Sequence, residues 1–125
     1  LTSKEDKMSK KIIIAAEDNM GLNSQVSAHF GRCPYYILIE VEDDEIKRVS
    51  NVENPYYISH GEPGLAPNFI KQQGAEVIIA GGMGPRAIEF FNQLGIEAIT
   101  GASGRAADAI SSYLKGNLQG SGPCR

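Results

Sequence analysis

The stretch His29-Phe30-Gly31-Arg32-Cys33-Pro34 brings together one of the chain's two histidines and one of its two cysteines within five residues. The other histidine, His60, precedes Gly61 in a second loop dense in turn-forming residues. Two imidazoles and a thiolate form a borderline-to-soft donor set. Such a set suits zinc, copper, iron or a sulfide cluster, whereas magnesium and calcium want oxygen. The spacing matches no zinc finger, which needs four well-placed ligands, and three ligands leave a position open for something exchangeable. The plain alternative is a buried, inert thiol with two surface or capping histidines. Arg32, next to Cys33, is expected to lower the thiol pKa. A cysteine nucleophile with a histidine base is a further reading, but Pro34 follows the cysteine and no orienting Asp or Asn stands beside either histidine.

At 125 residues the chain is long enough for one domain with a real core. Apolar residues at 42% and charged residues at 22% are ordinary for a globular protein. A net charge of −3 argues against a nucleic-acid binder, which normally shows a basic face. No apolar run approaches the length that crosses a bilayer, and the polar stretch from Leu1 to Lys10 has no signal-peptide core. Two cysteines far apart make no disulfide framework, so a reduced cytoplasmic protein is expected. Residues 1–9 are set aside as an extension or cloning remnant, and residues 119–125, rich in glycine and proline, as a flexible tail.

The elements that must position the loops are legible from pattern. Lys11 to Ala16 (KIIIAA), apolar toward both faces, predicts a central strand. Leu22 to Phe30 is ambiguous and polar enough for a loop. Tyr35 to Val41 and Ile46 to Val52 predict a hairpin linked by Glu42-Asp43-Asp44-Glu45, with Lys47 and Arg48 suited to an exposed edge. Ala66, Phe69 and Ile70 recur at helical spacing before Gly74. Val77 to Ala80 and Glu97 to Thr100 are short strands. A helix opened by Pro85 carries Ala87, Phe91 and Leu94, and a last one carries Ala106, Ala109, Ile110 and Tyr113. The order β-β-β-α-β-α-β-α predicts an α/β fold: an antiparallel meander followed by parallel βα units.

Strand direction then decides which loops meet. If the first strand runs up, the loops carrying His29 and Cys33, His60, Gly81-Gly82-Met83-Gly84 and Gly101-Ala102-Ser103-Gly104 all leave the same upper edge. That is where open α/β sheets bind ligands. Each glycine turn leads into a helix, so its N–H groups (Gly81, Gly82, Gly84, Gly101, Gly104) with Arg86 and Arg105 could hold an anion. Neither turn matches a P-loop or a dinucleotide fingerprint, and glycines that merely permit tight turns are the alternative. Glu17 and Asp18 follow the first strand. A two-metal nuclease would need more carboxylates across the sheet, and Val77 to Ala80 ends in glycines instead.

The chain resembles the dinitrogenase iron-molybdenum cofactor biosynthesis family, the NifX-like domains also found at the end of NifB proteins. The matching stretches are KIIIA at Lys11 to Ala15, HFGRCPYY at His29 to Tyr36, NPYYISHG at Asn54 to Gly61 and IIAGGMGPRA at Ile78 to Ala87, with Gly95-Ile96 and YLKGNL at Tyr113 to Leu118. Coverage runs over residues 10–118, which form the NifX-like cofactor-binding domain on this reading. The resemblance implies a ribonuclease-H-like three-layer fold without nuclease residues: a mixed five-stranded sheet with helices on both faces. It implies a non-catalytic role, binding or carrying an iron–sulfur or iron–molybdenum cofactor precursor or a related molybdenum-containing sulfide cluster, with Cys33, His60 and His29 as ligands. Cofactor-assembly proteins are candidate partners, and the net charge and the lack of a long apolar run leave nucleic acid and membrane out. The alternative is a regulatory module binding a small organic anion or nucleotide at the glycine turns.

Overall fold

The computed structural model describes residues 9–57 and 64–118. His60 and Gly61, residues 1–8 and the tail with Cys124 therefore lie outside the described residues. Strands β1 (Ser9–Ala16), β2 (Tyr35–Glu42), β3 (Glu45–Glu53), β4 (Val77–Ile79) and β5 (Glu97–Ile99) form one sheet in the order β3-β2-β1-β4-β5. Helices α1 (Leu65–Gln72), α2 (Pro85–Leu94) and α3 (Ala106–Leu114) complete the expected order. β1 begins at Ser9, one residue inside the stretch set aside as an extension.

β1 pairs antiparallel with β2 and parallel with β4, and β4 pairs parallel with β5. The mixed α/β sheet expected from the element order is thus present. Its central position explains the three isoleucines. Ile12 and Ile14 go to one face and Ile13 to the other, all at 0% exposure, because successive side chains on a strand alternate. One face is covered by Ala106, Ala109 and Ile110 of α3. The opposite face is covered by Ile70 of α1 and Phe91 of α2. No helix among the described residues is long and apolar enough to cross a membrane.

The hairpin is tighter than the four-residue link expected for it. Glu42 and Glu45 belong to the strands, and only Asp43 and Asp44 turn, both at positive φ (52° and 66°). Two left-handed residues make the turn whose twist matches the flanking strands, and aspartate is among the few residues that tolerate it. Register then slips by one between Glu40↔Arg48 and Val41↔Ile46, so Lys47 bulges from β3. A bulge beside exposed Lys47 and Arg48 blunts this edge against further strand addition.

Candidate functional site

The loop after β1 is where the upper edge is assembled. It leaves Ala16, makes a 3-10 turn at Gly21–Asn23, and returns beside its own strand through an Ala16↔Val26 bridge. From there it is stitched to both glycine turns. Val26 N–H donates to the Gly104 carbonyl (2.8 Å), and Phe30 N–H donates to that of Gly82 (2.9 Å). Gly81 N–H and Ala106 N–H donate in return to the carbonyls of Ser27 and Ser24, both at 2.8 Å. The three loops the strand directions send to this edge are therefore joined by backbone hydrogen bonds, and the exit of β3 joins them through Asn54.

Gly81 is where the approach is closest. A Cβ there would stand 2.8 Å from the Ala28 Cα, 3.0 Å from the Ser27 carbonyl oxygen and 3.2 Å from that of Ala102. All three are backbone atoms of neighbouring loops, with no flexible side chain to yield. Gly81→Ala is expected to cost about 1–3 kcal/mol, the usual range for overpacking, read as a lower urea midpoint at unchanged m.

This stitching consumes donors that the glycine turns would otherwise offer an anion. Gly81 N–H is bonded to Ser27, and Gly101 N–H donates to the Gly81 carbonyl (2.9 Å). Arg105 stands at the N-cap of α3, one position before the helix, and the first helical N–H, of Ala106, is already bonded. Asp108 supplies negative charge to that first turn. Gly84 is the N-cap of α2 and Arg86 is exposed beside it, but the shallow depression there also presents Glu89. The glycines at 81 and 101 thus serve close packing and tight turns.

The His29–Pro34 segment divides its side chains by face. His29 and Arg32 are exposed, whereas Cys33 is buried at 0%. Ser27 shapes the start of the segment: its Oγ accepts from His29 N–H (3.3 Å) and donates to the His29 carbonyl (3.1 Å). Cys33 packs in the core with Ala15, Tyr36, Ile70, Met83 and Phe91, with Phe30 and Phe69 against them. The aromatic rings interlock. Phe30 meets Phe91 edge-on at 5.0 Å and Tyr36 at 5.9 Å, and Tyr36 meets Phe69 at 6.0 Å.

Arg32 does not lower the thiol pKa. Burial pushes the Cys33 thiol up to about 11, against an ordinary 9.0; the Tyr36 hydroxyl and the backbone at Gly31 and Ala16 pull the other way without offsetting it. An exposed guanidinium is solvated, and its charge does little for a group inside the core. Burial likewise pushes the Tyr36 hydroxyl up, so it keeps its proton.

Asn54 is a residue the sequence did not single out. It is 5% exposed, and its amide fixes the cysteine segment. Nδ2 donates to the carbonyls of Cys33 (2.8 Å) and Gly31 (3.2 Å), Oδ1 accepts from Tyr56 N–H (2.9 Å), and its own N–H donates to the Pro34 carbonyl (2.9 Å). The visible signal was an Asn before a Pro at a strand end; which carbonyls it would reach depends on the tertiary fold. Asn54 ties the Cys33 segment to the start of the loop that contains His60. Among the described residues no group of three or more His, Cys, Asp or Glu side chains is placed to hold a metal ion, so Cys33 and His29 do not by themselves make a ligand set.

Comparison with known proteins covers nearly the same span. Residues 10–116 match the family described as dinitrogenase iron-molybdenum cofactor. The uncharacterised protein MJ0580 of Methanocaldococcus jannaschii is 33% identical over 98 residues, 78% of this chain and 83% of its own. The crystal structure of PH0822 is 43% identical, covers 87% of this chain and 94% of its own, and superposes with a TM-score of 0.78. The apo form of the orange protein from Desulfovibrio gigas is 23% identical over 93% of this chain and 97% of its own, with a TM-score of 0.81, and at that identity it speaks for the fold alone. With a match that spans the sheet, the three helices and the stitched upper edge, the chain belongs to the dinitrogenase iron-molybdenum cofactor family.

Proposed function

We propose that this protein binds or carries a metal–sulfide cargo, an iron–sulfur or iron–molybdenum cofactor precursor or a related molybdenum-containing cluster, and catalyses no reaction on it. The observation that carries this reading is the family match over residues 10–116, which includes the segment with Cys33. The fold adds physical sense. The Cys33 segment is fastened to the upper edge through the Phe30 and Asn54 hydrogen bonds, and a thiol is what iron, copper and sulfide clusters take. Cys33 is the first ligand, with His60 and His29 after it. A single thiol with exchangeable companions holds a cluster loosely, as a carrier passing cargo to cofactor-assembly proteins must. The sheet is read as a ribonuclease-H-like fold without nuclease residues, since glycines at 81 and 82 follow β4. The anion-module alternative loses support because the N–H groups of Gly81 and Gly101 are already bonded.

Anaerobic protein offered ferrous iron with sulfide, or tetrathiomolybdate, is expected to develop a sulfur-to-metal charge-transfer band that Cys33→Ala abolishes. A protein that stays colourless, or a band indifferent to that substitution, overturns the reading.

A further inference from the structure

The two faces of the sheet are not covered alike. α1 and α2 cover the face that holds Cys33, whereas α3 is the one helix on the other face among the described residues. Strands stand about 4.8 Å apart and a helix is about 10 Å wide, so one helix cannot roof five strands. The 3-10 turn at Gly21–Asn23 roofs part of the β2–β3 hairpin, held there by Gly21 N–H donating to Asn51 Oδ1 (3.0 Å). Beside it a groove of about 460 Å³ stays open, between Leu22 and Ile46 on one side and Ala107, Ile110 and Leu114 on the other. Ile46 lies opposite Val41, a core residue of this face, so it sits over the sheet, and yet it is 38% exposed. Single exposed apolar side chains are ordinary, but one that borders an open apolar groove marks a surface made for contact.

We propose that this groove is the docking site for a basic amphipathic helix of a partner protein. The strip left beside α3 is two strands wide, about 10 Å, which is the width of one helix. α3 has 9 residues, so the strip runs about 14 Å, enough for three apolar side chains spaced over two turns of a partner helix. The sign of the partner's charge follows from the hairpin end. Glu42, Asp43, Asp44 and Glu45 are consecutive there, and the last two line the groove. Lys47 offsets one of them through its 2.9 Å contact with Glu45, and Lys115 stands on the α3 rim, so the rim remains acidic in sum. Lysines or arginines flanking the partner's apolar stripe complement it. A second copy of this chain would bring the same acidic end and a net charge of −3. A strip this small also falls far short of the roughly 800 Å² per partner that a stable dimer buries. The groove and the Cys33 cluster lie on opposite faces of the sheet, so docking here is independent of the cargo.

The test is an NMR titration of the full chain with a synthetic helical peptide of about 14 residues, leucines along one face and lysines on the rest. The peptide is expected to bind saturably and to shift the signals of Ile46, Ala107 and Leu114 together. Two control peptides, one with lysines replaced by glutamates and one of the same composition with the leucine stripe scrambled, are expected to bind at least about tenfold more weakly. Ile46→Asp, a change at an exposed position, is expected to weaken the lysine peptide at least about tenfold with the Tm kept. Should Ile46→Asp melt early, Ile46→Ala takes its place with the same expectation. Asp44→Asn with Glu45→Gln is expected to weaken binding severalfold and to flatten its salt dependence; asparagine also tolerates the positive φ at residue 44. No binding, equal binding of the scrambled peptide, or indifference to Ile46 overturns the inference. So does a concentration-dependent dimer that Ile46→Asp dissolves, which would assign the groove to a second copy. Nuclear Overhauser contacts in the free protein from Ile46 or Leu114 to residues 1–8 or 119–125 would assign it to the chain's own ends and overturn the inference as well.

Discussion

In a Cys124→Ser background, Cys33 is expected to react with a small alkylating reagent at pH 8 about 100-fold more slowly than an unburied cysteine, on protonation grounds alone. The thiolate is the reactive form, and burial raises the Cys33 thiol to about 11 from an ordinary 9.0. The rate should climb roughly tenfold per pH unit up to about pH 10, where an ordinary thiol has already levelled off. Stability follows with a definite sign. The folded protein keeps this proton where the unfolded chain has lost it, so the contribution is complete below about pH 9 and is lost as pH rises toward 11. The loss amounts to at most roughly 2–3 kcal/mol. Lysines also titrate in that range, so the informative quantity is the difference between the wild-type and Cys33→Ala profiles. A rate at pH 8 equal to that of free cysteine, or a plateau near pH 9, would show that the thiol is neither covered nor shifted.

That behaviour could not have been read from the chain. Cys33 next to Arg32 suggests an activated thiol, because adjacency in sequence is taken for adjacency in space. Yet the segment sends Arg32 outward and Cys33 inward, and burial then outweighs a solvated charge. The strands and helices were legible because each carries a local pattern: the isoleucine run of β1, the period of α2 behind Pro85, glycine at each helix end. Their convergence on one edge was legible too, since it follows from strand direction. The detail of that edge was not. Leu22 to Phe30 has no periodicity because its order comes from carbonyls and N–H groups of distant turns, such as the bonds of Val26 to Gly104 and Phe30 to Gly82. Gly81 illustrates the ambiguity: a glycine that admits a ligand and a glycine that admits a neighbouring backbone look alike in sequence, and here Ala28 occupies the space.

Asn54→Ala is expected to be a damaging change at this edge, costing about 2–4 kcal/mol by urea denaturation. The substitution leaves the buried carbonyl of Cys33 without its amide partner, at about 1–3 kcal/mol, and the part-buried Gly31 carbonyl and Tyr56 N–H at less, since water reaches them in part. Against the 5–15 kcal/mol that holds a typical domain, this is a large share. Asn54→Asp does not rescue it: the carboxylate can still accept from Tyr56 but faces two carbonyl oxygens with no proton to give. Asn51 is the control. Its Oδ1 accepts from Gly21 N–H at an exposed position (3.0 Å), water can replace it, and Asn51→Ala should cost under about 1 kcal/mol. The two consequences of losing Asn54 separate by kinetics. If the amide only adds stability, Cys33 becomes reactive in step with global unfolding. If it latches the His29–Pro34 segment, that segment opens on its own below the global cost, and alkylation of Cys33 in Asn54→Ala accelerates at least about tenfold at urea concentrations where the fold is intact. An Asn54→Ala protein within about 1 kcal/mol of wild type, with Cys33 as protected as before, would remove Asn54 from any role at this edge.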